Sequence, residues 1–127
     1  MTNIFSKLGS ISYVLWGVLH IVVASKVYEL GQTLDADIVQ ARIFQDAWSL
    51  LFFAIFAILI GLFFNWKNDR LGYWLNLIVV SVADIGYLLF ILLPGYVPII
   101  PGVIGPALWV LAVVFSTIAI RRNIKEV

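Results

Sequence analysis

The chain has 127 residues, 63% of them hydrophobic and 12% charged, with a mean hydropathy of +1.06. Soluble domains run ~45–50% apolar and ~25% charged, so the composition excludes a water-soluble globular fold. A net charge of +1 gives no basic footprint for nucleic acid, the absence of Cys removes disulfides, thiolate catalysis and sulfur-ligated metal sites, and a single His removes any multi-His metal site within one chain.

A helix that crosses the hydrocarbon core of a bilayer needs ~20 mostly apolar residues. Four stretches meet that requirement, at about 9–27, 45–64, 71–93 and 103–120. None alternates polar and apolar residues as a membrane β-barrel requires, and a helix satisfies its backbone polar groups internally. The expected fold is therefore all-α: an integral membrane four-helix bundle forming a single transmembrane domain over 1–127.

The first stretch has the outline of a signal peptide, with Lys7, an apolar run and the small-residue triplet Val22-Val23-Ala24. Tyr13, Trp16 and His20 inside the run are unusual for a signal core, so it is read as a retained span. Residues 28–44 mix polar and apolar side chains. Asp35 is the expected N-cap of the second helix, which would start outside the membrane and continue inward. Residues 65–70 (NWKNDR) form a short hydrophilic turn. Residues 94–102 hold three of the four prolines and no charge, and are expected to be extended, lying on the membrane surface or folding over the mouth of the bundle. Pro106 fits the first turn of the fourth helix, where a missing N–H costs little.

Orientation follows from Lys and Arg. Lys7, Lys67, Arg70, Arg121, Arg122 and Lys125 fall on the side of both termini, and Lys26 and Arg42 on the other. Both termini are thus expected in the cytoplasm. Tyr28 and Trp48 at one interface and Trp66, Tyr73 and Trp74 at the other form the expected aromatic belts.

Two ionisable groups interrupt the spans, at a cost of at least ~2.5–3.5 kcal/mol each on insertion scales: His20 and Asp84. At 1.5 Å per residue they lie ~16 Å and ~20 Å from the cytoplasmic ends of their helices, close enough in depth to meet. Tyr13, Trp16, His20 and Ala24 recur at helical spacing on the first helix, and Tyr73, Asn76, Val80, Asp84 and Tyr87 on the third. The second helix carries Arg42, Gln45, Asp46 and Ser49 at its outer end. The fourth offers Trp109, Ser116 and Thr117.

If these stripes face one another they line an outward-opening cavity. The candidate catalytic pair is Asp84 and His20, sharing one mobile proton suited to acid–base work. The candidate ligand-binding residues are Tyr13, Trp16, Gln45, Asp46, Ser49, Asn76, Tyr87 and Trp109. Aromatic walls suit a lipophilic small molecule, so the first functional expectation is a pocket for one, with isomerase- or cyclase-like chemistry at the pair. The second is a small proton-coupled transporter acting as a homodimer, with Asp84 titrating. The third is a non-catalytic accessory subunit whose polar groups only lock helices together. Plainer readings stand beside each assignment. Tyr and Trp stripes also serve packing, Asp84 can partner Arg42, Lys26 or His20, and Arg42–Asp46 and Lys26–Glu29 have the spacing of simple surface pairs. Ala57 with Gly61, and Ala112 with Ser116, have the small-residue spacing of helix contacts. No GxGxxG, P-loop, HExxH or GxSxG motif is present, and no metal or other cofactor is expected. The lipid bilayer is the one obligatory partner.

Overall fold

The computed structural model describes residues 1–125; the side chain of Lys125, counted above among the cytoplasmic cations, lies outside the described part. Five α-helices are present among these residues. They are α1 (Ile4–Gln32), α2 (Ile38–Phe63), α3 (Arg70–Tyr87), the single turn α4 (Ile99–Gly102) and α5 (Ile104–Lys125). All but α4 belong to segments long and apolar enough to cross a membrane.

Helix starts follow local capping chemistry. Asn3 accepts from the Ser6 amide while Ser6 Oγ takes the Asn3 amide, a reciprocal cap that opens α1. Asp37, rather than Asp35, caps α2, with its side chain accepting from the amides of Val39 and Gln40. The amide of Leu34 is already turned back to the Gly31 carbonyl, so the chain is still closing α1 as it nears Asp35. Asp69 caps α3 through the Gly72 amide. Between α2 and α3 the 65–70 turn contains one 3₁₀ turn (Asn65–Lys67) and a left-handed Asn68 at φ 57°.

The expectation of an extended 94–102 segment is corrected in part. After Tyr87 the helix does not stop but widens into a π turn, Leu88–Leu92, closed by Leu93 N–H donating to the Leu88 carbonyl at 2.9 Å. Pro94 supplies the reason: it has no N–H to offer and its ring crowds the carbonyl four residues back, so the last turn opens rather than tightens. The chain then bends at Gly95 (φ 83°), and α4 closes a short turn through the Gly102 amide and the Pro98 carbonyl, while Ile100 within it keeps the extended angles expected (φ −110°, ψ 117°).

The helices pack in a closed sequence of neighbours. α1 lies against α2 and α5, and α3 lies against the same two helices from the opposite side. Burial runs opposite to a soluble protein. The inward stripe of α1 is Ser6, Gly9, Ser10, Tyr13, Trp16, Gly17, His20 and Ala24, whereas Ile11, Leu15, Val18 and Val22 face out. α2 buries Ala47, Ala54, Ala57 and Gly61 and turns Phe52, Ile55, Leu59 and Leu62 outward. α3 buries Gly72, Asn76, Val80 and Asp84 at strict four-residue spacing. Tyr13, Trp16, Ala57, Val80 and Ala112 make the central apolar cluster.

Small residues set the spacing, as in helix pairs that bring backbones close. A Cβ on Gly9 would collide with Ser116 Oγ and stand 3.0 Å from the Ser116 backbone nitrogen; a Cβ on Gly17 would stand 2.7 Å from the Ala54 carbonyl. Ser10 Oγ donates to the Gly61 carbonyl at 2.7 Å across the α1–α2 seam. Asn68 Nδ2 donates to the Ala119 carbonyl at 3.1 Å, tying the α2–α3 turn to α5. Gly9→Val is expected to destabilise the protein by about 1–3 kcal/mol through overpacking. Gly86→Ala has nothing within 4 Å of the new Cβ and is expected to leave stability unchanged or raise it by up to about 1 kcal/mol. Thermal unfolding of both variants in detergent checks the pair.

Candidate functional site

Asp84 sits in the middle of the structure with no exposure at all, and His20 is 8% exposed. They come from α3 and α1, the two helices that do not lie side by side, so long side chains must span the gap. Trp16 does so: its Nε1–H donates to Asp84 Oδ2 at 3.2 Å. His20, one turn further along α1, stacks on the Trp16 indole with ring centroids 3.8 Å apart and planes 21° apart. Its Nε2 faces Asp84 Oδ1 at 3.9 Å.

The remaining imidazole nitrogen settles the tautomer. His20 Nδ1 lies 2.8 Å from the Trp16 backbone carbonyl. A carbonyl only accepts, so Nδ1 carries hydrogen and Nε2 is the nitrogen that gains or loses a proton. That nitrogen points at Asp84 Oδ1, which is buried and has no hydrogen-bond partner. Two acceptors face each other unless a proton resides on one of them. The 3.9 Å separation is too long for a direct hydrogen bond.

The surroundings come from the far end of the molecule, opposite the end that carries Asn3 and Ala119. Gly105, near the start of α5, lies against the imidazole, where a Cβ would be 3.3 Å from His20 Cε1. Tyr87, three residues after Asp84, donates its hydroxyl to the Gly102 carbonyl at 2.9 Å and so fastens the 88–103 segment to α3. Trp109 Nε1–H donates to Ser81 Oγ at 2.9 Å, closing the α3–α5 seam three residues before Asp84.

The candidate residues thus divide into groups. His20, Asp84 and Trp16 are together, and Tyr87 lies one turn beyond Asp84 on the same helix. Tyr13 is fully buried one turn nearer the termini, with its hydroxyl unpartnered. Asn76 is two turns from Asp84, ~12 Å along the helix. It belongs to a second polar layer, donating to Asn65 Oδ1 at 2.8 Å and to the Ala57 carbonyl at 3.2 Å. Trp109 is held by Ser81 rather than by the pair.

Gln45, Asp46 and Ser49 do not join the pair, in contrast to the cavity expected from the sequence. Gln45 and Asp46 are exposed; Gln45 accepts from Arg42 Nη1 at 2.8 Å, and Ser49 Oγ bonds back to the Gln45 carbonyl. The four-residue pairing of Arg42 with Asp46 gives way to this three-residue contact. Lys26 and Glu29 pair as their spacing implied, at 2.8 Å on the surface. The physical reason for the difference on α2 is its small-residue face: Ala47, Ala54 and Ala57 claim the inward side, and the polar residues of the first turns rotate away from it.

The best-formed hollows lie elsewhere. One, of about 330 Å³, is an apolar groove between α1 and α2 lined by Ile21, Ala24, Tyr28, Phe44, Trp48 and Leu51. The other, of about 540 Å³, is at the near end around Met1, Lys67 and Asn68. Neither includes His20 or Asp84, which are enclosed by packed side chains. Among the described residues no three His, Asp or Glu converge as a metal site.

Three contributors were missed in the sequence. Ser81 and Gly105 touch the site through partners on another helix, and no local pattern marks them. Asn65 was read as part of a solvated turn, yet it is buried against Asn76. Its position directly after the apolar run 50–64, 15 residues long, was the available signal.

Comparison with known proteins adds no constraint: no family model matches the chain, no curated protein matches it, and no solved structure matches it.

The indole–carboxylate bond is the testable element of this geometry. Trp16→Phe is expected to cost about 1.5–3 kcal/mol of stability, the range for a hydrogen bond to a charged group, and much less when Asp84 is already Leu. A double-mutant cycle from unfolding in detergent reads the coupling; additive losses would mean that the bond contributes nothing.

Proposed function

We propose that this chain is an integral membrane four-helix bundle with both termini cytoplasmic, and that Trp16, His20 and Asp84 form a proton-holding site for a lipophilic small molecule. Membrane insertion is supported by the inverted burial: small and polar side chains inside, and rows such as Trp74, Ile78, Val82, Ile85 and Leu89 outside. Orientation is supported by the cations that gather at the near end. Lys7 lies 5.6 Å from the Trp66 ring and Arg122 lies 4.3 Å from the Phe5 ring, an arrangement that places their charges beside the aromatic belt.

The observation that carries the functional reading is the unpartnered Asp84 Oδ1 facing His20 Nε2. A packing device needs no open valence, and a buried carboxylate oxygen without a donor is costly. The arrangement keeps a proton between two buried bases and leaves one acceptor for an incoming group, which is what acid–base work on an apolar molecule requires. Tyr87 and Trp109 shape the outer boundary, and Tyr13 the inner one.

The locking reading retains one observation in its favour: Trp16 satisfies Asp84 Oδ2, and the pair is enclosed. Native mass spectrometry with lipid analysis separates the two. Wild type in mild detergent is expected to carry a specific apolar molecule that is absent from Asp84→Asn and His20→Ala while circular dichroism shows both variants folded. Bulk lipid alone in all three proteins, with stability lost in the variants, would make the cluster a helix lock.

Topology has a simple test because the chain has no native Cys. Thr2→Cys and Lys67→Cys are expected to resist a membrane-impermeant maleimide in intact cells, and Asp35→Cys to react.

A further inference from the structure

We infer that the molecule held at His20 and Asp84 is a lipophilic alcohol, admitted from the membrane by displacement of the 88–103 segment. The inference rests on the reading above, that these residues bind an apolar molecule, and names its polar group and its route.

The polar group follows from what the pair lacks. His20 Nδ1–H is committed to the Trp16 carbonyl and Asp84 Oδ2 to the Trp16 indole. Nε2 and Oδ1 are left facing each other across 3.9 Å. One oxygen atom about 2.8 Å from each fits across that span and makes two hydrogen bonds of ordinary length. A hydroxyl is both donor and acceptor. With the proton on the imidazole, it accepts from Nε2–H and donates to Oδ1. With the proton on the carboxyl, it accepts from Oδ1–H and donates to Nε2. Both proton placements are therefore satisfied with His20 and Asp84 at their present separation. A ketone only accepts, so one of the two bases stays unpaired. An ammonium only donates and fits the pair only after it has lost its proton. A hydrocarbon fits neither.

The route follows from what encloses the pair. On the far side the first turn of α5 lies against His20 through Gly105, and the 88–103 segment leads into that turn. That segment contains no charged residue and exposes Phe90, Leu93, Tyr96, Ile99 and Ile100, the last at 81%. Such a surface is stable in lipid or at its interface, not in water. Beyond the π turn, the side-chain hydrogen bond that fastens it to α3 runs from Tyr87 to the Gly102 carbonyl. Gly105, in the first turn of α5 three residues after the end of α4, lies against the His20 imidazole, so a displacement that carries this first turn along with the segment bares the edge of the imidazole. The π turn at Leu88–Leu92 is the loosened part of the helix from which the segment swings.

The test uses the full chain in detergent and three probes with the same carbon number, 1-dodecanol, 2-dodecanone and dodecane, at equal mole fraction in the micelle. Native mass spectrometry reads the bound fraction. The alcohol is expected to be retained about tenfold or more over the ketone, from hydrogen bonds to a charged partner. The preference is expected to collapse in Asp84→Asn and in His20→Gln, with circular dichroism confirming that both variants are folded. Tyr87→Phe is expected to take up the alcohol several-fold faster. Equal retention of alcohol and ketone, or a preference that survives both variants, would overturn the hydroxyl assignment and leave the lipophilic site standing. Retention of none of the three would overturn both. An unchanged uptake rate in Tyr87→Phe would overturn the route.

Discussion

Asp84 is the most costly residue in the chain to bury, and its partners come from a helix that does not pack beside its own. α1 and α3 face each other across the interior, separated by the seams that each makes with α2 and α5. Only a side chain as long as tryptophan reaches across, and the Trp16 indole does so with its one polar atom. His20 then stacks on that indole and inherits its placement. The position of one N–H thus fixes the carboxylate, the imidazole plane and, through the Trp16 carbonyl, the imidazole tautomer. Truncating any member leaves the others with buried polar atoms that water cannot reach.

This interior contact is possible only because the helices come close. Gly9 against Ser116 and Gly17 against Ala54 leave no room for a larger side chain on either flank of α1, and Gly61 lies close to Val14. With the flanks drawn in, the space along the axis is just wide enough for Tyr13 and Trp16, both fully buried. In the bilayer proposed for this chain, Leu and Ile would gain little by packing inward because the surrounding lipid is as apolar as they are. Interior positions therefore go to residues that allow close approach or form hydrogen bonds. The Ser10–Gly61, Asn68–Ala119 and Tyr73–Thr117 contacts are of the second kind.

How much of this was legible in the sequence depended on the range of the interaction. The four long helices were visible as apolar runs, since span length is a property of the local chain. The meeting of His20 and Asp84 was visible as well, because two rare charges at matching depth have few other places to go. The role of Trp16 as the connecting donor was not, as helical spacing alone makes it one more aromatic in a stripe. The error on α2 has the same origin. Gln45, Asp46 and Ser49 looked like a polar face, but Ala47, Ala54 and Ala57 define the inward side, and small residues carry no signal in a hydropathy profile. Asp35 and Asp37 are equivalent as local N-cap candidates. The choice between them depends on where α1 finishes, which is settled by Gln40 Nε2 bonding to the carbonyls of Gly31 and Leu34.

The far end of α3 joins these strands of the structure. Asp84 offers its backbone carbonyl to the Leu88 amide, which is the first residue of the widened turn. The regular helix therefore ends at Tyr87, one turn beyond the buried carboxyl, and the 88–103 segment that follows is held by fewer constraints. None of residues 88–103 is fully buried, and only Leu88, Leu92, Val97 and Gly102 are partly covered, whereas Asp84, Val80 and Asn76 before them are fully buried. Rigidity on one side of Asp84 keeps the carboxylate aimed at the imidazole. Looseness on the other side is what a site with no opening of its own needs if anything is to reach it. Local stability is drawn down where motion is required, and here the boundary between the two regimes falls within one helical turn of the carboxylate.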